Sequence, residues 1–406
     1  MVTNPYGTNT SAAAALSVVP MMVWGNNSQG QTAVPLDLTN VISVAAGNGR
    51  SIALRSDGTV AVWPQDAAHT PPAGLSNVVA VAMGGDPCAA LKSDGTIVAW
   101  GANLASPGNP SNVVAVEVGN NNVVVLQDDT LASGLGVWPT SNVLSMSAGD
   151  NNVLMAKDDG TVVGLGVNYY NAATPPAGLS NVVAVSSGYF HTLVLKSDGT
   201  VFAWGDNYFG ETSIPAGLGN VVEIAAGGTH NLALRGDGTV VAWGYNGYGE
   251  SLIPSNLTNV VAISGGTGYS VAIVQNPATP IPPSIWWPGP TNRVLTTGRT
   301  VMFVPIVNGS RPMKFQWFYN GASLAGQTNR WLELPFATKQ RSGSYYFTVT
   351  NRYGSATSHE MTISEAPTIL SQPLSQSNFS VSKIEPFLPT ASSVKYLINS
   401  SWEKIS

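Results

Sequence analysis

The chain is 406 residues long, enough for two to three domains, and charged side chains make up 10% of it, well below the roughly 25% of an average soluble domain. Lys and Arg number 17 against 22 Asp and Glu, for a net charge of −5; no basic patch can displace counterions from phosphates, which excludes nucleic acid as a partner. No stretch is long and apolar enough to span a bilayer, and the single cysteine, Cys88, permits no intramolecular disulfide and reads as a small buried group in a strand.

Residues 2–11 match residues 349–358 at most positions (VTNPYGTNTS against VTNRYGSATS). Residues 1–20 therefore read as a remnant of an upstream domain of the kind found near the C-terminus. The apolar run at 12–24 is not a signal peptide: the first basic residue is Arg50 and Pro20 interrupts the run. From there a segment Asn-Val-Val-x-Val, or a close variant, recurs at Asn40, Asn77, Asn112, Asn142, Asn181, Asn220 and Asn259, at steps of 37, 35, 30, 39, 39 and 39 residues. Such a period, built from short alternating segments, predicts a β-propeller, in which no sheet buries its own apolar face and stacked neighbours do so.

The unit at 181–219 shows the expected blade. Val182, Val183 and Val185 form a first strand that ends at Gly188. A second strand, 191–196, leads to the hairpin pair Asp198-Gly199, which tolerates the positive φ of a two-residue turn. A third strand, 201–204, precedes a polar loop, and a fourth is expected around Ser213-Ile214-Pro215. The last copy lacks its Trp-Gly strand, whereas Val23-Trp24-Gly25 at the N-terminus is such a strand with no first half. Joined, the two halves complete a seventh blade and close the ring, removing its open edges. Trp63 and Trp138 are followed by Pro, Leu165 replaces a Trp, and 112–142 is the least regular copy.

These motifs resemble the regulator of chromosome condensation repeat family: GYFHTLVL from Gly188 and GGTHNLAL from Gly227 match its Gly-x-x-His-x-x-Ala-Leu element, and WGNNSQGQ from Trp24, WGDNYFGE from Trp204 and WGYNGYGE from Trp243 match its loop. The resemblance covers residues 21–276 and, within the superfamily, is most similar to a secreted bacterial propeller that inhibits β-lactamase. It implies a seven-bladed propeller in which His191 and His230 fix the blades by side-chain hydrogen bonds.

A Pro-rich linker follows at 277–289. Residues 282–364 then resemble an immunoglobulin-like sandwich, with a core Trp at 317 and a corner at Ser342-Gly343-Ser344-Tyr345; Pro305 and Phe347 stand where the family's cysteines would pair, so packing must hold the core. Residues 365–406 look like the start of a further module that is poorly ordered beyond its first strand. The expected fold class is thus all-β, a seven-bladed propeller followed by a sandwich.

The sequence offers no converging set of titratable groups, and no catalytic, cofactor or metal site is assigned. His69 and His359 have no ligand-like companion in sequence. Asp57, Asp94, Asp198 and Asp237 each precede Gly in a hairpin and lack the spaced oxygen ligands of a calcium loop, so they read as turn residues. What remains is a set of loop aromatics in the last three blades: Tyr189, Phe190, Tyr208, Phe209, Tyr245, Tyr248 and Tyr269. Exposed Tyr and Phe on a rigid scaffold suit protein recognition, although they could instead cover neighbouring blades or the adjoining sandwich. The expectation is a monomeric, non-enzymatic bacterial protein, secreted or at the cell surface, whose propeller loops bind a protein or a surface glycan. Inhibition of a secreted enzyme such as a β-lactamase, a glycan-active enzyme and guanine-nucleotide exchange are the alternatives, in falling order.

Overall fold

The computed structural model describes residues 2–4, 7–9, 21–102, 108, 110, 112–120, 123–127, 130–133, 136–139, 142–275, 282–286, 292–295, 301–303, 305–309, 313–334 and 339–365. Most of residues 1–20, much of the linker at 277–289 and the tail at 365–406 except Glu365 lie outside this set. Among the described residues the structure is all-β apart from two short 3-10 turns.

Seven antiparallel sheets follow one another along residues 21–274. The first comprises Val41–Ala46, Ser51–Arg55 and Val60–Trp63, and the second Val78–Met83, Cys88–Lys92 and Ile97–Trp100. The third contains Val113–Val118, Val123–Gln127, Thr130–Ser133 and Gly136–Pro139. The fourth to sixth are Val143–Ala148, Asn152–Lys157 and Val162–Gly166; Val182–Ser187, His191–Lys196 and Val201–Gly205; and Val221–Ala226, His230–Arg235 and Val240–Gly244. The seventh joins both ends of this region: Val260–Gly265 pairs with Tyr269–Val274, which pairs with Met21–Gly25 in the register Val271 to Val23. The first strand of each sheet contacts that of the next, and the seventh returns to the first, so the sheets form a closed ring around a channel.

The repeated residues have local reasons. Every repeat Asn, from Asn40 to Asn259, adopts a positive φ between 54° and 60°, a conformation that Asn tolerates far better than a β-branched residue. It lets the carbonyl of Asn40, Asn181 or Asn220 accept the amide of Ser56, Ser197 or Gly236 at the neighbouring hairpin. The hairpin aspartates behave as turn residues: Asp198 Oδ1 accepts both the amide (2.9 Å) and the hydroxyl (2.5 Å) of Thr200. The middle strand of each sheet is buried along nearly its whole length, because both of its faces meet neighbouring sheets.

The fourth strand expected at Ser213-Ile214-Pro215 is absent. Ile214 N donates to Thr212 O and Leu218 N to Pro215 O, so the segment coils into turns. Pro215 has no amide hydrogen for a ladder. Six of the seven described sheets are three-stranded, and the four-stranded exception is the third.

Glycines line the rim where first strands turn into second strands. The amide of Asn48 donates to Gly84 O (3.0 Å), Gly85 N to Gly119 O (3.2 Å), Gly228 N to Gly266 O (3.2 Å), and Thr267 N to Gly47 O (3.0 Å), the last bond closing the circle. A Cβ on Gly188 or Gly227 would lie 2.7 Å from the carbonyl oxygen of the next glycine on the rim, so the approach that makes these bonds admits no side chain.

A second group of strands follows. One sheet runs in the order Asn292–Leu295, Met361–Glu365, Gly343–Asn351, Lys314–Tyr319, Ala322–Ser323, with Gly354–Thr357 on Gly343–Asn351; Val301–Phe303 pairs with Leu332–Leu334 and Ser284–Trp286 with Ile306–Asn308. Trp317 is fully buried between Phe303 and Phe347, at ring separations of 5.9 and 4.8 Å, and its indole donates to Asn329 O (3.0 Å). Of the two positions read as replacing cysteines, Phe347 stands in this core; Pro305 lines the channel, and it is Phe303 that stacks on Trp317. The hairpin at residues 349–356 and the one at 2–9 have equivalent registers, Thr350 opposite Ser355 and Thr3 opposite Thr8.

This second group sits on the Asp-Gly hairpin rim of the ring. Met302 N donates to Asp158 O (3.0 Å), the Trp331 indole to Ser197 O (2.6 Å), Ser197 Oγ to Glu333 (3.0 Å) and Arg330 to Val222 O (3.4 Å). Met302 and Trp331 pack into one apolar cluster with Leu195, Leu218 and Val221 of the ring.

Two tests follow from this packing. Deleting residues 1–31 removes the strand Met21–Gly25 and exposes the edge of Tyr269–Val274; the truncated protein is expected to aggregate or to melt without cooperativity in calorimetry, whereas a parent-like transition would show that the ring closes without that strand. Trp317→Ala is expected to cost about 3–5 kcal/mol, read as earlier proteolysis of the C-terminal strands than of the ring.

Candidate recognition site

The loops leaving the third strands are pinned by the Trp residues of the next sheet. Trp243 Nε1 donates to Glu211 O (2.9 Å), Trp204 Nε1 to Ala172 O (3.0 Å) and Trp24 Nε1 to Glu250 O (2.9 Å). Within the loop after Trp204, Asn207 Oδ1 accepts Thr212 N (2.9 Å) and Glu211 accepts Phe209 N (2.8 Å); Asn246 and Glu250 repeat both bonds one sheet later. These bonds fix the backbone of the loops and leave their ring-bearing side chains to project.

On these loops the structure brings together four of the predicted residues. Tyr208 meets Phe209 edge-on at 4.7 Å, Phe209 meets Tyr245 at 4.6 Å, and Tyr245 meets Tyr248 at 6.0 Å. Tyr208 is 82% exposed, and Phe209 and Tyr248 are also exposed. Tyr189 and Phe190 form a second cluster: both are half-buried, and the Tyr189 hydroxyl meets Thr267 Oγ1 at 2.6 Å. Two further exposed residues belong to it, Tyr169 and Tyr170, whose rings lie 6.0 and 5.5 Å from Phe190. The sequence reading missed them because their loop follows Leu165 in place of Trp; the adjacent Tyr-Tyr-Asn was the available signal.

Tyr269 is a correction. It is completely buried, its hydroxyl accepting Gly47 N (3.2 Å), meeting Ser51 Oγ (3.1 Å) and donating to Arg50 O. Tyr269 occupies the repeat position of His191 and His230, whose Nε2 atoms meet Asn231 Oδ1 (2.7 Å) and Ser270 Oγ (2.9 Å) of the following sheets. All three side chains latch one sheet to the next. Burial pulls His191 down to about 4 and His230 to about 3, so both are neutral at physiological pH.

His69, solitary in sequence, has companions in space. Its Nδ1 lies 2.6 Å from Asp66 and its Nε2 2.7 Å from Asp86 of the second sheet, while Arg50 pairs with Asp66 and the indole of Trp100 donates to His69 O. The hydrogen bond from His69 holds the Asp66 carboxyl down at about 2. Cys88 is buried, and desolvation pushes its thiol up to about 12, far from the reactive thiolate. Among the described residues no group of His, Cys, Asp and Glu is arranged to hold a metal ion, and no helix is long and apolar enough to cross a membrane.

The repeats have known counterparts. Residues 182–211 and 221–250 match the model of the Regulator of chromosome condensation (RCC1) repeat, and no curated protein matches the chain by sequence. Among solved structures, Prp20p from Saccharomyces cerevisiae is similar with a TM-score of 0.54 at 16% identity, over 64% of this chain and 92% of that one. Yeast RCC1 (Prp20) bound to Kap60 gives 0.53 at 15% identity, over 68% and 97%. The ectodomain of the Physcomitrella patens receptor kinase CR4 gives 0.51 at 19%, over 67% and 74%. Two segments thus match the RCC1 repeat model, and the ring has the fold of RCC1-like β-propellers.

One buried carboxyl departs from the repeat. Gln31 Oε1 accepts Gln29 N at 2.9 Å, and Glu250 makes the equivalent bond to Tyr248 N with one oxygen while the other, buried, has no partner among the described residues. Burial raises the Glu250 carboxyl above its ordinary 4.5. The native state therefore retains this proton longer than the unfolded chain does, and stability is lost as pH rises from the unfolded pKa through the native one. Glu250→Gln is expected to raise the melting temperature near pH 8, by about 1–3 kcal/mol of stability, with the gain shrinking towards pH 4.5; a gain independent of pH would rule out this origin.

Proposed function

We propose that this chain is a non-catalytic bacterial recognition scaffold, secreted or displayed at the cell surface, that binds a protein through the loop rim of its propeller. The ring is read as seven-bladed, spanning 21–276 and closed by its N-terminal strand, and residues 282–364 as an immunoglobulin-like sandwich without a disulfide. The buried Trp317 and the Tyr345 hydroxyl donating to Arg341 O (2.8 Å) at the corner support the second assignment. A chain that closes its own ring needs no second copy, and the monomer is the expected state.

The observation that carries the reading is that the sandwich and the exposed aromatics occupy opposite rims. The sandwich bonds the hairpin rim at Asp158 and Ser197. Tyr169, Tyr170, Tyr208, Phe209 and Tyr248 lie on the loops of the other rim, so they are not its cover. Rigid aromatics give contact area at little entropic cost and are enriched among residues that dominate interfaces. Propellers of this fold engage proteins: Prp20p is described with binding to Gsp1p and histones, and yeast RCC1 is solved bound to Kap60. An enzyme inhibitor would use the same rim with an enzyme as its partner, and a surface glycan would stack on the same rings. A glycan-active enzyme is disfavoured because Glu223, one of two channel glutamates, is committed to Ile263 N (3.0 Å).

A partner captured from culture medium or from a cell surface provides the test. Tyr208→Ala combined with Phe209→Ala is expected to weaken its binding by more than about 2 kcal/mol, while Asp198→Ala on the hairpin rim leaves affinity unchanged. The reverse pattern would move the recognition face to the other rim.

A further inference from the structure

The channel enclosed by the first strands is a cavity of about 600 Å³, within the range of small-molecule sites. At the hairpin rim Pro305, Arg330 and Trp331 of the C-terminal strands line it, so the sandwich gives it a floor and leaves the glycine rim as its mouth. Its wall is made largely of Ala, Ser, Gly and Val, small enough to leave the space open.

Most polar side chains of this wall join neighbouring sheets. Ser145 Oγ accepts Val185 N, Ser147 Oγ accepts Ser187 N, Ser186 Oγ accepts Ala226 N, Ser264 Oγ accepts Ala46 N, and Glu223 accepts Ile263 N. Glu117 occupies the repeat position of Ser147, Ser186 and Ser264, yet among the described residues its carboxyl has no hydrogen bond or ion pair, and burial pushes it up to about 8. Its accessible surface faces the cavity. The other ionisable lining groups are Glu223 on the opposite wall, Asp150 and Tyr189 at the mouth, and Arg330 at the floor. With Glu117 protonated, Asp150 and Glu223 stand against Arg330, and ionisation of Glu117 adds a further negative charge within low-dielectric walls that focus its field on a cation.

We infer that this channel is a binding well for a small organic cation, a di- or polyamine, with Glu117 as the carboxylate that pairs with an ammonium group. An alkylammonium remains charged through neutral pH, and pairing favours the ionised carboxyl, so binding releases a proton from Glu117. Affinity must then rise with pH until the free carboxyl is ionised.

The experiment is calorimetric titration of the full chain with putrescine, with 1,4-butanediol as a neutral analogue of the same length, in two buffers of different ionisation enthalpy. Expected are putrescine binding without diol binding, proton release on binding, and an affinity gain of roughly tenfold or more between about pH 6.5 and 8.5. Glu117→Gln should reduce affinity by about tenfold or more while melting no earlier than the parent, since it removes a buried acid. The Tyr208→Ala, Phe209→Ala double variant should retain full amine binding, which separates this site from the rim. No putrescine binding by the parent, equal binding of the diol, or unchanged affinity in a folded Glu117→Gln protein would each overturn the inference.

Discussion

The closed circle of backbone contacts at the glycine rim is the constraint on which the rest of this structure depends. Each sheet buries one face on the sheet before it and one on the sheet after, so none is complete until the seventh meets the first. That meeting is made by Thr267 N on Gly47 O at the rim and by Met21–Gly25 beside Tyr269–Val274. Tyr269 reinforces it from the seventh sheet, its phenol reaching Ser51 and the backbone of Gly47 and Arg50 of the first. A hydroxyl spans this junction where imidazoles serve the preceding ones.

Closure also determines where the chain can afford variety. Indoles reaching back to the preceding loop, and Asn207 or Asn246 bracing that loop from within, set its backbone and leave the ring-bearing side chains free to project. The loop after Leu165 is braced in the same way, by the Trp204 indole on Ala172 O and by Asn168 from within, yet it follows a different path with Tyr170 and Asn171 at positive φ. Even so, its two tyrosines meet Phe190 of the next sheet, so the aromatic surface extends across the irregular copy.

The C-terminal strands give the ring two unlike ends. By seating Met302 and Trp331 against the fourth to sixth sheets and bringing Arg330 and Pro305 to the channel, they turn a tube into a well and leave the loop rim as the accessible face.

The sequence by itself determined the ring, because the Asn-Val-Val register, the Asp-Gly hairpins and the split last repeat are local signals of geometry that recur at fixed spacing. It also singled out Tyr208, Phe209, Tyr245 and Tyr248, whose repeated loops place them alike. It placed Tyr269 among the exposed residues, because a Tyr after Thr-Gly looks like a loop residue until the neighbouring sheet covers it. It anticipated a fourth strand at Ser213–Pro215, where the turn bonds of Ile214 and Leu218 prevail over pairing. Only the tertiary structure decided which rim the C-terminal strands cover, that His69 lies between two aspartates from different sheets, and that Glu117 faces a cavity without a partner among the described residues. Those facts arise from groups distant in sequence, and no local pattern encodes which side chain of one sheet will face which group of another.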